Sequence, residues 1–210
     1  MTDKRVSERT IRRLSHYARC LRLAKAKGEP VMTSSSLANT CGISAAGVRK
    51  DLASFGEFGK KGSGYDVSLL LRSIEEILGI ADPPKVIIVG AGNIGLALME
   101  SGLEGTGGYC YAEILDSDPR KLDTVCCGKH VRSMGELPAV VGELGEVIAV
   151  VAVTPGEGQR AIDQLVRAGC RGVLSFNLEP IFVPDGVHLR YVEVSTELDI
   201  LTHSIRSGRG

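Results

Sequence analysis

Val86-Ile87-Ile88-Val89-Gly90-Ala91-Gly92-Asn93-Ile94-Gly95-Leu96-Ala97-Leu98-Met99-Glu100 opens the stretch that decides the fold of most of this chain. Four β-branched residues favour a strand, and Leu96 to Glu100 reads as helix. Between them lies G-x-G-x-x-G. A second apolar run, Tyr109 to Leu115, ends at Asp116, 21 residues beyond Gly95. Strand, glycine turn, helix and a closing acid together make a dinucleotide-binding fingerprint. Gly90 permits the tight turn, Gly92 lets backbone approach a pyrophosphate, and Gly95 lets helix sit close on strand. Ala91, Asn93 and Ile94 complete the cradle, whose free N–H groups and positive dipole end face the phosphates. Asp116 is expected to accept hydrogen bonds from an adenosine ribose, and its charge disfavours the extra phosphate of NADP. The expected ligands are NADH and NAD+.

Working C-terminally, Ser117-Asp118-Pro119 is a turn, and the segment to Gly145 reads as an irregular crossover. The unbroken apolar run within Glu146 to Val153 predicts a fully buried parallel strand. Thr154-Pro155-Gly156 leaves it, a helix spans Glu157 to Ala168, and strands follow at Val173 to Phe176 and Val187 to Val194. Strands alternating with helices imply a doubly wound parallel sheet, with ligands beyond the strand C-termini. That rule gathers Gly90 to Gly95, Asp116, Thr154, Pro155 and Asn177 around one crevice. Thr154 and Pro155 suit either end of a dinucleotide and Asn177 suits a carboxamide, although all three also suit ordinary turns. Ser195 to about Ser204 is a helix with Leu198 and Leu201 apolar, ready to pack on its own domain or on a partner.

Working N-terminally, Ser7 caps a predicted helix to about Lys27, with Ile11, Leu14, Ala18 and Leu21 on one face and Arg12, Arg13, Arg19 and Arg22 on a solvated one. Thr33-Ser34-Ser35-Ser36 precedes a short helix from Leu37 to about Cys41. Gly42 ends it, and Ser44 caps another helix, from Ala45 to about Phe55. Two short helices joined at Gly42-Ile43-Ser44 match a helix-turn-helix, whose second helix enters the DNA major groove. Ser44, Ala45 and Ala46 allow close approach, and Arg49 and Lys50 reach bases or phosphates. The glycine-rich run Phe55 to Tyr65, with Lys60, Lys61 and Gly62 at its tip, reads as a β-hairpin wing that follows a phosphate backbone. A helix from Val67 to Leu78 leads to a stiff boundary ending in Pro83-Pro84.

Charge supports this division. Residues 1–61 hold 13 of the 25 Lys/Arg and 5 of the 25 Asp/Glu, so a net of +8 at the front balances −8 in the remainder. A basic front end on an acidic body meets a polyanion with that end alone. No apolar run is long enough to span a bilayer, and the charged N-terminus lacks a signal peptide's apolar core, so the expected location is cytoplasmic, with no membrane partner. The six cysteines form no C-x-x-C pair and no zinc spacing, so no metal is expected. Cys126-Cys127 is the one adjacent pair, a candidate thiol switch.

A dehydrogenase needs an acid/base group beside the nicotinamide. His16, His130, His188 and His203 fall in no catalytic pattern, and no substantial substrate domain remains. No catalytic residue is assigned. Cofactor binding without catalytic equipment, joined to a DNA-binding front end, describes a sensor. The alternatives are a small NAD-dependent oxidoreductase with a basic accessory domain, or a repressor gated by CoA or another adenine nucleotide.

Over nearly its whole length the chain resembles the Rex family of bacterial redox-sensing transcriptional repressors. The resemblance is most specific in Val48-Arg49-Lys50-Asp51-Leu52 and in Phe55-Gly56-Glu57-Phe58-Gly59-Lys60, continuing to Gly64-Tyr65. The Gly90 to Gly95 turn and the Asp116/Asp118-Pro119 turn match as well. It implies an α/β chain: a winged-helix DNA-binding domain over 1–79, a Rossmann-like doubly wound NAD(H) domain over 85–193, and a C-terminal helix over 194–210 swapped into the other subunit of a homodimer. It implies double-stranded DNA carrying an inverted-repeat operator, release by NADH, and competition by NAD+. A redox-switch network is implied at Arg19, Ser101 and Glu193. Ser101 stands where the family often has tyrosine, and Glu193 where it has aspartate.

Overall fold

The structure is a computed structural model that describes residues 6–56, 58–60, 63–101 and 109–208. It divides into two compact units, one running to Pro83 and the other beginning at Pro84.

The first unit opens with α1 (Glu8–Ala26), where the Ser7 hydroxyl accepts from Thr10 N–H. β1 (Val31–Met32) follows, then α2 (Ser34–Cys41), α3 (Ala45–Ala53), β2 (Gly59–Lys60), β3 (Gly64–Asp66) and α4 (Val67–Leu78). Three strands in the order β1-β3-β2 pair antiparallel beside the helices, the outline of a winged helix. Leu14, Tyr17, Leu21, Leu37, Val48, Leu52, Leu70 and Ile74 form its core. Two expectations are corrected. α2 begins at Ser34, not Leu37, because Thr33 serves as its N-cap, its hydroxyl accepting from Ser36 N–H, and the serines become its first turn. Ile11 is exposed and Tyr17 is buried in its stead, since the buried stripe of α1 centres on Tyr17, Leu21 and Ala24, roughly a third of a turn round the helix from Ile11. β1 was not expected, being two residues long.

The second unit is a seven-stranded sheet, order β10-β9-β8-β4-β5-β7-β6. Its strands are β4 (Lys85–Val89), β5 (Tyr111–Asp116), β6 (Val125–Cys126), β7 (Lys129–Ser133), β8 (Val147–Val151), β9 (Gly172–Ser175) and β10 (His188–Tyr191). All pair in parallel except β6, which is antiparallel to β7 at one edge. Its helices are α5 (Asn93–Ser101), α6 (Leu137–Leu144), α7 (Gly158–Arg167) and α8 (Val194–Ser207). Chain order reverses between β4 and β8, the switch point at which a doubly wound sheet opens its ligand crevice.

The expected irregular crossover between Asp116 and Gly145 is instead ordered. It holds the β6–β7 hairpin, a 3-10 turn over Met134–Glu136 and α6. Sequence periodicity hid β7 because, of Lys129-His130-Val131-Arg132-Ser133, Val131 alone is buried. α6 was hidden by Pro138 and Gly142, which lower helix propensity; Pro138 stands in its first turn, where a missing N–H costs little. Helices α6 and α7 cover one sheet face, packing on Ile87, Val89, Ala149 and Val151. The opposite face carries α5 over Val86, Ile88, Tyr111 and Ile114.

Candidate dinucleotide site and nucleic-acid interface

The glycine turn is shaped by contacts that leave no room for side chains. Gly90 sits at φ +108°, and a Cβ there would collide with the carbonyl of Ala152, the residue just past neighbouring β8. A Cβ on Gly95 would collide with the Gly90 carbonyl and press on Ile88. At Gly92 the reason is different: among the described residues, apart from its chain neighbours, nothing lies within 4 Å of where its Cβ would stand. That open space fronts the start of α5, where a pyrophosphate would sit against unpaired N–H groups. Ala91 is buried behind the turn, and Asn93 and Ile94 are exposed at the first turn of α5.

Around this turn lies a crevice, open at its mouth, lined by Gly90, Gly92, Asp116, Lys121, Thr154, Glu157 and Arg160 among others. Asp116 is 6 % exposed and already heavily engaged. Its carboxylate accepts from Ala91 N–H at 2.7 Å, Asp118 N–H at 2.8 Å and Lys121 Nζ at 2.9 Å. Burial pushes its pKa up, but the bonds from Asp118, Lys121 and Ala91 outweigh burial and hold it below the usual carboxylate range. A carboxylate offers about four lone-pair sites, so the three donors leave one open to a ligand hydroxyl. Lys121 and Arg160 were not expected in the crevice, since Lys121 follows a turn and Arg160 reads as a solvated helix residue.

Asn177, 6 % exposed, follows β9. Its Nδ2 donates to the carbonyls of Val153 at 3.1 Å and Thr154 at 3.4 Å, which fixes the amide orientation and ties down the end of β8. Its Oδ1 is buried without a hydrogen-bond partner among the described residues. A buried acceptor left unmet asks for a donor from whatever fills the site. Thr154 lines the crevice, whereas Pro155 stands exposed beside it. Glu179, also not expected, accepts from Gly156 N–H at 2.7 Å and Gly158 N–H at 2.8 Å. Its carboxylate occupies the N-terminus of α7, leaving the α5 terminus for a phosphate.

In the first unit Ser44 caps α3 by accepting from Gly47 N–H, so its hydroxyl is committed to the helix start. Ala45 is half-buried, Ala46, Arg49 and Lys50 are exposed, and Arg49 Nη1 donates to Ser34 Oγ at 3.1 Å, bridging α3 to α2. The side chain of Lys60, and Lys61 and Gly62 entirely, lie outside the described residues. What sequence missed is the clamp on α3. Asp51 accepts from Arg13 at 2.6 and 2.8 Å and from the Tyr17 hydroxyl at 2.8 Å. Burial raises the Asp51 pKa, but Arg13 and Tyr17 more than reverse that and leave it lowered; burial, then Asp51, push the Tyr17 pKa up. Arg13 was expected on a solvated face, as was Arg22, which pairs with Glu75 at 2.7 Å.

Of the expected switch residues, Arg19 is exposed on α1 in the first unit. Ser101 ends α5, its hydroxyl donating to the Leu98 carbonyl, and Glu193 precedes α8.

Two family models match: one described as Putative DNA-binding protein N-terminus over residues 5–53, and one described as CoA binding domain over residues 82–178. Among curated relatives, the redox-sensing transcriptional repressor Rex of Roseiflexus sp. is 39% identical over 193 residues, covering 92% of this chain and 88% of the relative. That of Desulfitobacterium hafniense is 37% identical and covers 100% of both. A solved structure, the crystal structure of RSP in complex with beta-NAD+ and operator DNA, superposes with a TM-score of 0.83 at 29% identity, covering 97% of this chain and 94% of that one. RSP in complex with beta-NADH gives 0.82 at 27% identity, covering 98% and 97%.

Proposed function

This chain belongs to the Rex family of redox-sensing transcriptional repressors, and from that premise we propose that it is a DNA-binding repressor reading the NADH/NAD+ ratio. It occupies its operator when NADH is low and leaves when NADH binds. The observation that carries this reading is that similarity to such repressors runs through both units, over 100% of this chain in the Desulfitobacterium hafniense comparison. The relatives are repressors, and RSP has been solved with both dinucleotides and with operator DNA. The present chain is accordingly a regulator rather than an enzyme.

Residues 1–79 form the DNA-binding domain, with Ser44, Ala45, Ala46, Arg49 and Lys50 at the groove and Lys60, Lys61 and Gly62 on the wing. Residues 85–193 hold NADH or NAD+, using Gly90 to Gly95 for the pyrophosphate, Asp116 for the ribose, and Thr154, Pro155 and Asn177 at the far side. The unmet Oδ1 of Asn177 suits a carboxamide N–H. Residues 194–210 form the dimerisation helix. α8 has no buried residue and exposes Val194, Leu198, Ile200, Leu201 and Ile205, a stripe that a homodimer covers. Two copies present two recognition helices to an inverted repeat. Arg19, Ser101 and Glu193 form the switch. The setting is the cytoplasm, where a bacterial repressor meets its operator; no helix among the described residues is long and apolar enough to cross a membrane.

A ligand moves an equilibrium only through differential affinity, so NADH must bind the DNA-free state more tightly than the DNA-bound one. Fluorescence anisotropy on a palindromic fragment tests this. NADH releases the protein, NAD+ blunts the effect, and CoA does nothing. Release by CoA with NADH inert overturns the assignment in favour of the adenine-nucleotide reading that the CoA binding domain match would favour.

A further inference from the structure

We propose that Cys20 and Cys41 are a thiol pair that closes to a disulfide across the helix-turn-helix when a hydroperoxide reaches it. Their sulfurs stand 2.9 Å apart although the residues are 21 positions apart in sequence. A covalent S–S bond is about 2.05 Å, so closure needs less than about 1 Å of movement. Cys20 lies on the inner side of α1, in the core, and Cys41 is the last residue of α2, half-exposed and therefore the sulfur an oxidant meets first. The adjacent pair singled out by sequence is poorer: Cys126 and Cys127 sulfurs are 3.9 Å apart. Neighbouring Cα atoms are about 3.8 Å apart, below the roughly 4.4–6.8 Å that disulfides span.

The step balances without a metal. Cys41 gives its proton to water and attacks the hydroperoxide; an S–O bond forms, the O–O bond breaks, and an alcohol or water departs. The Cys20 sulfur then displaces that oxygen, the S–S bond forms, and the oxygen leaves as water with the Cys20 proton. Two electrons pass from the two sulfurs to the peroxide. Burial, then the bond to Cys20, push the Cys41 pKa up to about 12. The thiolate is therefore scarce at neutral pH, and closure accelerates as pH rises. Gly42-Ile43-Ser44 lead directly from Cys41 into α3, so the bond pins α1 to the turn that positions the recognition helix. The bond can close whichever nucleotide fills the crevice.

The full-length protein is treated with hydrogen peroxide, alkylated with iodoacetamide and mapped by mass spectrometry. The expected product is a Cys20–Cys41 cross-linked peptide pair, lighter by two hydrogens and reopened by dithiothreitol. Its rate of formation rises from neutral to alkaline pH. The unfolding midpoint of the first unit rises by a few degrees in the wild type, because the link restricts the unfolded chain, and stays put in Cys20→Ser and Cys41→Ser. Recovery of both cysteines alkylated, their conversion to sulfinic acid, or a cross-link made only at Cys126-Cys127 or between subunits overturns the proposal. The wild-type map decides this even if a variant fails to fold.

Discussion

The two units are organised by different chemistry. In the first, side chains tie the helices together: Asp51 on α3 grips Arg13 and Tyr17 of α1, and Arg22 of α1 grips Glu75 of α4. In the second, the crevice is made by main chain. Gly90 and Gly95 are defined by carbonyls that a Cβ would strike, and Asp116 and Glu179 are fastened to backbone N–H groups. A side-chain clamp responds to substitution and pH in graded steps. A backbone cradle tolerates its own residue or fails.

The largest test of that contrast is Gly95→Ala. The new methyl collides with the Gly90 carbonyl, so the second unit loses roughly 3 kcal/mol, at the upper end for overpacking, and NADH binding disappears. Separate unfolding transitions read by hydrogen exchange should show the first unit unmoved, and an equal loss in both units would erase the distinction. Asp51→Asn comes next. It removes a charge-assisted pair that is partly exposed on the Arg13 side, costing the first unit about 2 kcal/mol in denaturant titration.

The same clamp predicts a pH window. The folded pKa of Asp51 is lowered, so its contribution is fully present above the unfolded value, about 3.9, and is lost as pH falls through the lower folded value. Acid titration of the first unit should therefore show a loss of stability below about pH 4 that is smaller in Asp51→Asn.

Gly92→Ala separates binding from folding within the cradle. Its methyl meets nothing within 4 Å among the described residues beyond its chain neighbours, so unfolding changes by no more than about 0.5 kcal/mol, while on the proposed binding mode NADH affinity in fluorescence titration drops at least about tenfold, the methyl intruding on the pyrophosphate. An unchanged affinity would move the phosphates elsewhere. The smallest effect belongs to Arg49→Ala or Lys60→Ala. Each should weaken operator binding and flatten the dependence of log K on log salt by about one unit, with NADH affinity unchanged.

Much of this plan was legible beforehand. Val86 to Gly95 announced its strand, turn and helix, because a short motif with a fixed spacing is a local property. Ser7, Gly42 and Ser44 marked helix ends for the same reason: a cap is made with residues three or four positions away. The partly polar β7 was not legible, since one buried residue in five gives no period to detect, and α6 was not because Pro138 and Gly142 read as helix breakers.

What the sequence determined by itself was the glycine turn with its flanking strand and helix and the caps that end the first helices, all written within windows of about 30 residues, together with the two-part charge division, which is a sum over composition. The tertiary structure alone decided the partners. Arg13 finds Asp51 across 38 residues, Cys20 finds Cys41 across 21, Glu179 reaches back to Gly156 across 23, and Asp116 is claimed by Ala91 across 25. A side chain's partner depends on which elements pack together, and that choice is made by the burial of the whole apolar surface rather than by neighbours along the chain.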